Sequence, residues 1–231
     1  MSLKMRDGFT LAEVLITLAI IGVVAALTTP AIIRNSQNAK IGPTLAKICT
    51  TMETAIQAAC NEQEKLYFKD VVNPDNPADL SLPNRMDLLS QKYMKAKSSA
   101  SATLPPVVTR NIPAQTFTPT GGVVFGSDPV YLFSDKSAVI VPSGCTLGDG
   151  STEKCEIFAI IAGFQGRTRL VLGQDIFPLM VTKEGDVLPP GLADDMDVSG
   201  YCTDEALDAG TDDGYYCGDR AANNGWKANW K

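Results

Sequence analysis

Between Val14 and Ile33 the chain runs for 20 residues without a charge, VLITLAIIGVVAALTTPAII, and no other feature of its 231 residues constrains the fold as strongly. As an α-helix rising 1.5 Å per residue, this stretch reaches about 30 Å, the thickness of the hydrocarbon core of a bilayer. Lys4 and Arg6 stand before it. Positive charge retains its side of a membrane segment in the cytoplasm, so the expected topology is single-pass, N-terminus in and C-terminus out. A cleaved secretory signal is the competing reading, with Ala25-Ala26 as its small-residue site, although the apolar region is long for one. Glu13 argues against it, because a carboxylate at the cytoplasmic end of an apolar run costs free energy unless a partner compensates it.

The residues around Glu13 carry a family resemblance. Gly8-Phe9-Thr10-Leu11-Ala12-Glu13, followed by VLITLAIIGVVAAL, resembles the processing site of type IV prepilins. The resemblance implies that a membrane aspartyl prepilin peptidase cuts between Gly8 and Phe9 on the cytoplasmic side. It further implies N-methylation of the new amine of Phe9, with the helix retained as an anchor. Glu13 then becomes the fifth residue of the mature chain, and in similar pilins that carboxylate meets the N-terminal ammonium of the neighbouring subunit during assembly. Two opposite charges, each costly alone in an apolar bundle, compensate each other only when subunits are in register, so wrong staggers are penalised. Thr10-x-x-Glu13 also fits a helix-capping box. The box is compatible with the assembly role, but alone it does not explain the basic leader, Gly8-Phe9 and the membrane length together. Pro30 removes one helical hydrogen bond and is expected to kink the helix, as in similar pilins, while Gly22 permits close helix approach.

From Arg34 the pattern turns amphipathic, with Ile41, Leu45, Ile48, Met52, Ile56 and Ala59 at steps of three and four. This predicts a continuation of the helix to about Phe68, bent again at Gly42-Pro43, before the loop signals of VVNPDNPADLSLPN. A short helix is expected near Arg85 to Lys95, and the Ser/Ala/Pro-rich stretch Ala96 to Pro119 reads as a surface loop. Strand signals follow at Val130 to Ser134, Ala138 to Val141, Cys155 to Ile161, Arg169 to Leu172 and Ile176 to Val181, with turns between them. One long helix followed by strands is an α+β order, not alternating βαβ. The expected architecture is a pilin-like fold, a long half-transmembrane helix packed on an antiparallel sheet with a disulfide-bounded C-terminal loop. The expected divisions are a leader at 1–8, a transmembrane and assembly helix at 9–33, its amphipathic continuation at 34–68 and a head at 69–231.

Gly173-Gln174-Asp175-Ile176-Phe177, Gly185, Pro189-Pro190-Gly191 and the ending Cys202…Cys217…Asn224-Gly225-Trp226-Lys227 extend the resemblance weakly to some bacterial pilins and pseudopilins. Similar proteins often place an Asp-x-Asn-Gly turn before the Gly-x-Asp-x-Phe segment. This chain reads Ala162-Gly163-Phe164-Gln165-Gly166 there, so no role of that turn carries over.

Six cysteines without paired CxxC spacing favour disulfides and an extracytoplasmic head. Cys49 and Cys60 are about 16 Å apart by helical rise, too far for one bond. The preferred pairing is Cys145–Cys155 and Cys202–Cys217, each stapling a polar loop, with Cys49 and Cys60 free or bridged to the head in another of the 15 connectivities. Asp195-x-Asp197-x-Ser199-Gly200 resembles the opening of a calcium loop, but the twelfth position is Ala206 where an EF-hand needs Glu. A solvated acidic loop is the favoured reading, and calcium at Asp195 and Asp197 is the only cofactor considered.

A formal net charge of −6 disfavours nucleic acid as a partner, and the absence of histidine excludes His-dependent triads and most zinc sites. No spaced acid pair, nucleophile elbow or phosphate loop speaks for an enzyme. The function expected is a structural subunit, major or minor pilin or pseudopilin, of a type IV pilus-like filament or type II secretion pseudopilus. Its partners would be prepilin peptidase, other pilin subunits, an inner-membrane assembly platform and the lipid bilayer. It would reside in the inner membrane and then in an extracellular or periplasmic filament. The alternative is a membrane-anchored extracytoplasmic binding protein that does not polymerise, whose activity would survive Glu13→Ala.

Overall fold

The structure is a computed structural model that describes residues 10–99, 107–108, 128–148, 152–161, 163, 168–209 and 214–228. It opens with α1, Leu11–Glu62, an α-helix of 52 residues. Ile41, Leu45, Ile48, Cys49, Met52, Ala55, Ile56, Ala59 and Cys60 are buried, so the predicted stripe is the helix's contribution to the core of the head. Each fully buried aliphatic side chain of this kind stabilises the docking by about 1.5–3 kcal/mol.

The helical assignment passes through Gly42 and Pro43 without a break. Gly42 is a point of close approach, where an added Cβ would lie 1.8 Å from the Trp226 carbonyl oxygen. The residue is small because the C-terminal backbone crosses the helix at that point. One expectation for this helix is corrected: it stops at Glu62, short of Phe68. Gln63 turns its side-chain amide onto Val72, donating Nε2 to the carbonyl at 2.7 Å and accepting its N–H at 2.9 Å, and Glu64 takes the left-handed conformation at φ 52°. Phe68 enters the core from a 3₁₀ turn, Phe68–Asp70.

Helix α2, Leu82–Leu89, continues into a π turn at Ser90–Met94 close to the expected helix. Arg85 is buried beside Phe68 and donates Nε to the Val71 carbonyl at 2.9 Å and Nη2 to that of Lys69 at 2.5 Å. These bonds tie the connecting segment to α2.

Eight strands follow among the described residues: β1 Lys97–Ser99, β2 Val107–Val108, β3 Val130–Leu132, β4 Ala138–Ile140, β5 Lys154–Ile160, β6 Leu170–Val171, β7 Ile176–Thr182 and β8 Val187–Leu188. Six form an antiparallel sheet in the order β1-β3-β4-β5-β7-β8. The longest ladder pairs β5 with β7, from Lys154 opposite Thr182 to Ile160 opposite Ile176. Lys97–Ser99, read from sequence as the start of a loop, is instead the edge strand beside β3, because backbone pairing satisfies polar groups that its Ser-rich composition does not advertise. Leu170–Val171 lies apart from this sheet, in a parallel pair with β2.

Alternation along the strands splits them between two apolar layers. Tyr131, Val139, Ile157, Ala159, Phe177, Leu179 and Val181 join α1 in the main core, whereas Val130, Ala138, Ile140, Phe158, Ile160 and Ile176 form a second cluster with Leu170 and Leu172. The carboxylate of Glu53 on α1 accepts the N–H of Val187 at 3.1 Å, fastening the helix to edge strand β8.

The C-terminal region, expected as a solvated loop, contains three short helices: α3 Pro190–Ala193, α4 Asp204–Ala209 and α5 Cys217–Asn223. Disulfides join Cys145 to Cys155 and Cys202 to Cys217, with Cα separations of 5.9 Å and 5.0 Å. Cys49 and Cys60 are free and buried. Asp219, fully buried on α5, accepts the Leu192 N–H at 2.8 Å and so holds α3 against α5.

Candidate functional site: the N-terminal apolar helix

The first part of α1 cannot be explained by the head. Leu11–Thr29 has a mean hydropathy of 2.4, and none of it is buried within the chain. Leu11 is 80% exposed and Leu27 76%. Apolar side chains stand on every side of the helix, the pattern of a segment surrounded by lipid or by other helices. At 19 residues, it extends for about 28 Å.

Its polar side chains are satisfied locally. The hydroxyls of Thr17, Thr28 and Thr29 donate to the carbonyls of Val14, Val24 and Ala25 at 2.9, 2.9 and 2.6 Å, which removes three donors from any demand on water. Glu13 is the only ionisable residue in the stretch. Its Oε2 accepts the Thr10 N–H and the Thr10 hydroxyl, both at 2.8 Å, while the Glu13 N–H donates to Thr10 Oγ1 at 3.3 Å. The capping box read from sequence is therefore formed. A carboxylate has room for about four acceptor interactions, so these two bonds leave capacity for a cation. The box fixes the carboxylate at the helix start.

Gly8 and Phe9 lie outside the described residues. Pro30 stands within the continuous helical backbone. Asp195 and Asp197 gather no third acidic or thiol ligand: among the described residues no group of three or more such side chains converges. Asp197 instead accepts the Ser199 N–H at 3.0 Å in a local turn, and Asp195 occupies a left-handed position at φ 53°. Sequence reasoning missed the seat of the C-terminal segment at Gly42 and the Glu53 clasp on β8. The only local signal was a glycine beside a proline within an amphipathic helix.

No curated protein and no solved structure matches the chain. One family model does, the prokaryotic N-terminal methylation motif, over residues 3–29. That span contains the basic leader, Gly8-Phe9, the Thr10/Glu13 box and the apolar helix to Thr29, and it includes the part of the chain that the head leaves uncovered. The chain thus carries at its N-terminus the prepilin-type motif of type IV pilins and pseudopilins.

Proposed function

We propose that this protein is a structural subunit of a type IV pilus-like filament or a type II secretion pseudopilus. Prepilin peptidase cuts between Gly8 and Phe9 and methylates Phe9, the apolar segment of residues 9–33 holds the subunit in the inner membrane, and the head faces outward. An assembly platform then withdraws the subunit into a bundle in which neighbouring helices replace lipid. The observation that carries this reading is the continuity of α1. An uncovered apolar segment with Glu13 as its only ionisable residue runs without interruption into the buried stripe Ile41–Cys60 of the head. A pull on the stem is thereby transmitted to a core that includes the helix itself.

Glu13 has two partners in turn: Thr10 in the isolated subunit, and the amine of a neighbour's Phe9 in the assembly. Fractionating the native host into membranes and sheared extracellular or periplasmic filaments tests this. Wild-type chain should appear in both fractions, and Glu13→Ala in membranes alone. Wild-type chain confined to membranes, with Glu13→Ala behaving identically, would favour the anchored binding protein.

A further inference from the structure

The C-terminal layer carries an apolar patch that the head does not cover. Met196 and Tyr201 are each 39% exposed, with Leu192 close behind at 38%. Tyr216 links two of them into one surface: its hydroxyl lies 3.9 Å from Met196 Sδ, and its ring approaches that of Tyr201 to 4.7 Å between centroids. Isolated exposed apolar residues are ordinary, but a contiguous group built on a disulfide-closed frame presents a preformed surface.

Charge selects what this surface receives. Among the described side chains of this layer Asp195, Asp197 and Glu205 are exposed, whereas Asp194 is paired with Lys154 at 2.7 Å, Asp219 is buried, and Arg220 donates to the Tyr201 carbonyl at 3.2 Å. Exposed carboxylates of this kind disfavour anionic lipid and nucleic acid. The opposite composition occurs in the stem, where Val14 to Met52 holds Arg34, Lys40 and Lys47 and no acid. Placement agrees. The layer meets α1 where burial of the helix begins: the Trp226 backbone crosses at Gly42, and a Cβ on Gly218 would stand 3.5 Å from Leu45. The patch therefore belongs to the stem end of the head. In copies displaced along a common axis, the stem of one copy passes this rim of another. Lys47 is occupied by Asp135 at 2.6 Å, which leaves exposed Lys40 as the cation nearest the head boundary.

We propose that the Met196–Tyr201–Tyr216 patch and its acidic rim seat the basic stem of a second copy of this chain around Lys40. The proposal rests on the filament reading and adds to it which surface of one head meets which part of its neighbour. The helix bundle alone would not fix the rotation of the heads; this contact would.

The test is thiol trapping in the native host. Met196→Cys and Ala39→Cys, both at exposed positions, are placed on separate, differently tagged copies expressed together, and a mild oxidant is applied to assembled filaments. A mixed disulfide dimer is expected only when both variants are present. Lys40→Glu on the Ala39→Cys copy should lower its yield about two- to fivefold, the range for one exposed charge pair, and Glu205→Lys on the other copy should recover it. Filaments without the mixed dimer would overturn the docking and leave the filament role standing. Met196→Cys captured by a different protein, or a bond formed within a single chain carrying both cysteines, would overturn it as well. Absence of wild-type filaments would instead overturn the reading on which the proposal rests.

Discussion

Gly42→Ala sets helix propensity against a tertiary contact within one residue. In an isolated helix the substitution would stabilise by about 0.5–1 kcal/mol, since alanine loses less backbone entropy than glycine. Here the new methyl would lie 1.8 Å from the Trp226 carbonyl oxygen and 2.4 Å from its carbon, and both are backbone atoms that cannot rotate away. The C-terminal segment must move, and overpacking of this kind costs about 1–3 kcal/mol. The overlap should win by about 1–2 kcal/mol, which for a chain of this size lowers Tm by roughly 2–8 °C. The assay is built into the sequence, because Trp226, one of only two tryptophans, lies at the point of displacement. Intrinsic fluorescence of the full chain in detergent should shift to longer wavelength well below the melting transition, and the melting curve should move down. Gly144→Ala, with no atom within 4 Å of the added carbon, is the control and should change stability by under about 0.5 kcal/mol. Unchanged emission with an equal or higher Tm for Gly42→Ala would refute the reasoning, for it would mean that helix propensity, not the crossing of the C-terminal backbone, governs this position.

Three further outcomes are expected. Replacing Cys202 and Cys217 together by serine opens a closure of 15 residues and should cost about 3 kcal/mol in urea unfolding; a loss below about 1 kcal/mol would show that α3–α5 hold without the bond. Burial raises the carboxyl of Glu156 above its ordinary 4.5, partly countered by the hydroxyl donated from Tyr215. A raised folded value means that its contribution is fully present below the unfolded value and is lost as pH rises through the folded one, so Glu156→Gln should match wild type near pH 4 and exceed its Tm at pH 7, and the reverse ordering would contradict this. Burial pushes the Cys49 thiol up to about 12, so in native protein at pH 8 iodoacetamide should leave it unmodified, with labelling by mass appearing only after denaturation.

The parts of this fold legible in the sequence are those where one segment carries its own evidence. An uncharged run long enough for a bilayer needs no partner to be recognised, and Thr10 and Glu13 form their box within a single helical turn. The stripe from Ile41 to Ala59 and the apolar strands Ala138–Ile140, Lys154–Ile160 and Ile176–Thr182 announce themselves by period and β-branching. What escaped depends on distant residues. Gly42 gives no sign of its close approach to the C-terminal backbone until Trp226 is seen against it. Lys97–Ser99 and Val187–Leu188 are too short to show alternation, and each becomes a strand only because β3 or β7 supplies hydrogen bonds. The β-propensity of Arg169 to Leu172 suggests a strand of the main sheet, but propensity says nothing of which strand a segment pairs with, and Leu170–Val171 pairs with β2 instead. At the candidate site, Glu13 stood out because a charge at the edge of an apolar run is expensive, whereas the Glu53 bond to Val187 involves a residue that looks like any other exposed helical carboxylate.

The central claim is that the first helix is a processed assembly stem, and the mass of the N-terminal peptide tests it most directly. Protein should be isolated from its native host with the membrane fraction retained, digested, and its N-terminus identified by tandem mass spectrometry. The account predicts a chain beginning at Phe9 with one methyl group on the α-amine and Glu13 intact four residues downstream. A chain cut near Ala26, or one that still begins at Met1, would contradict it.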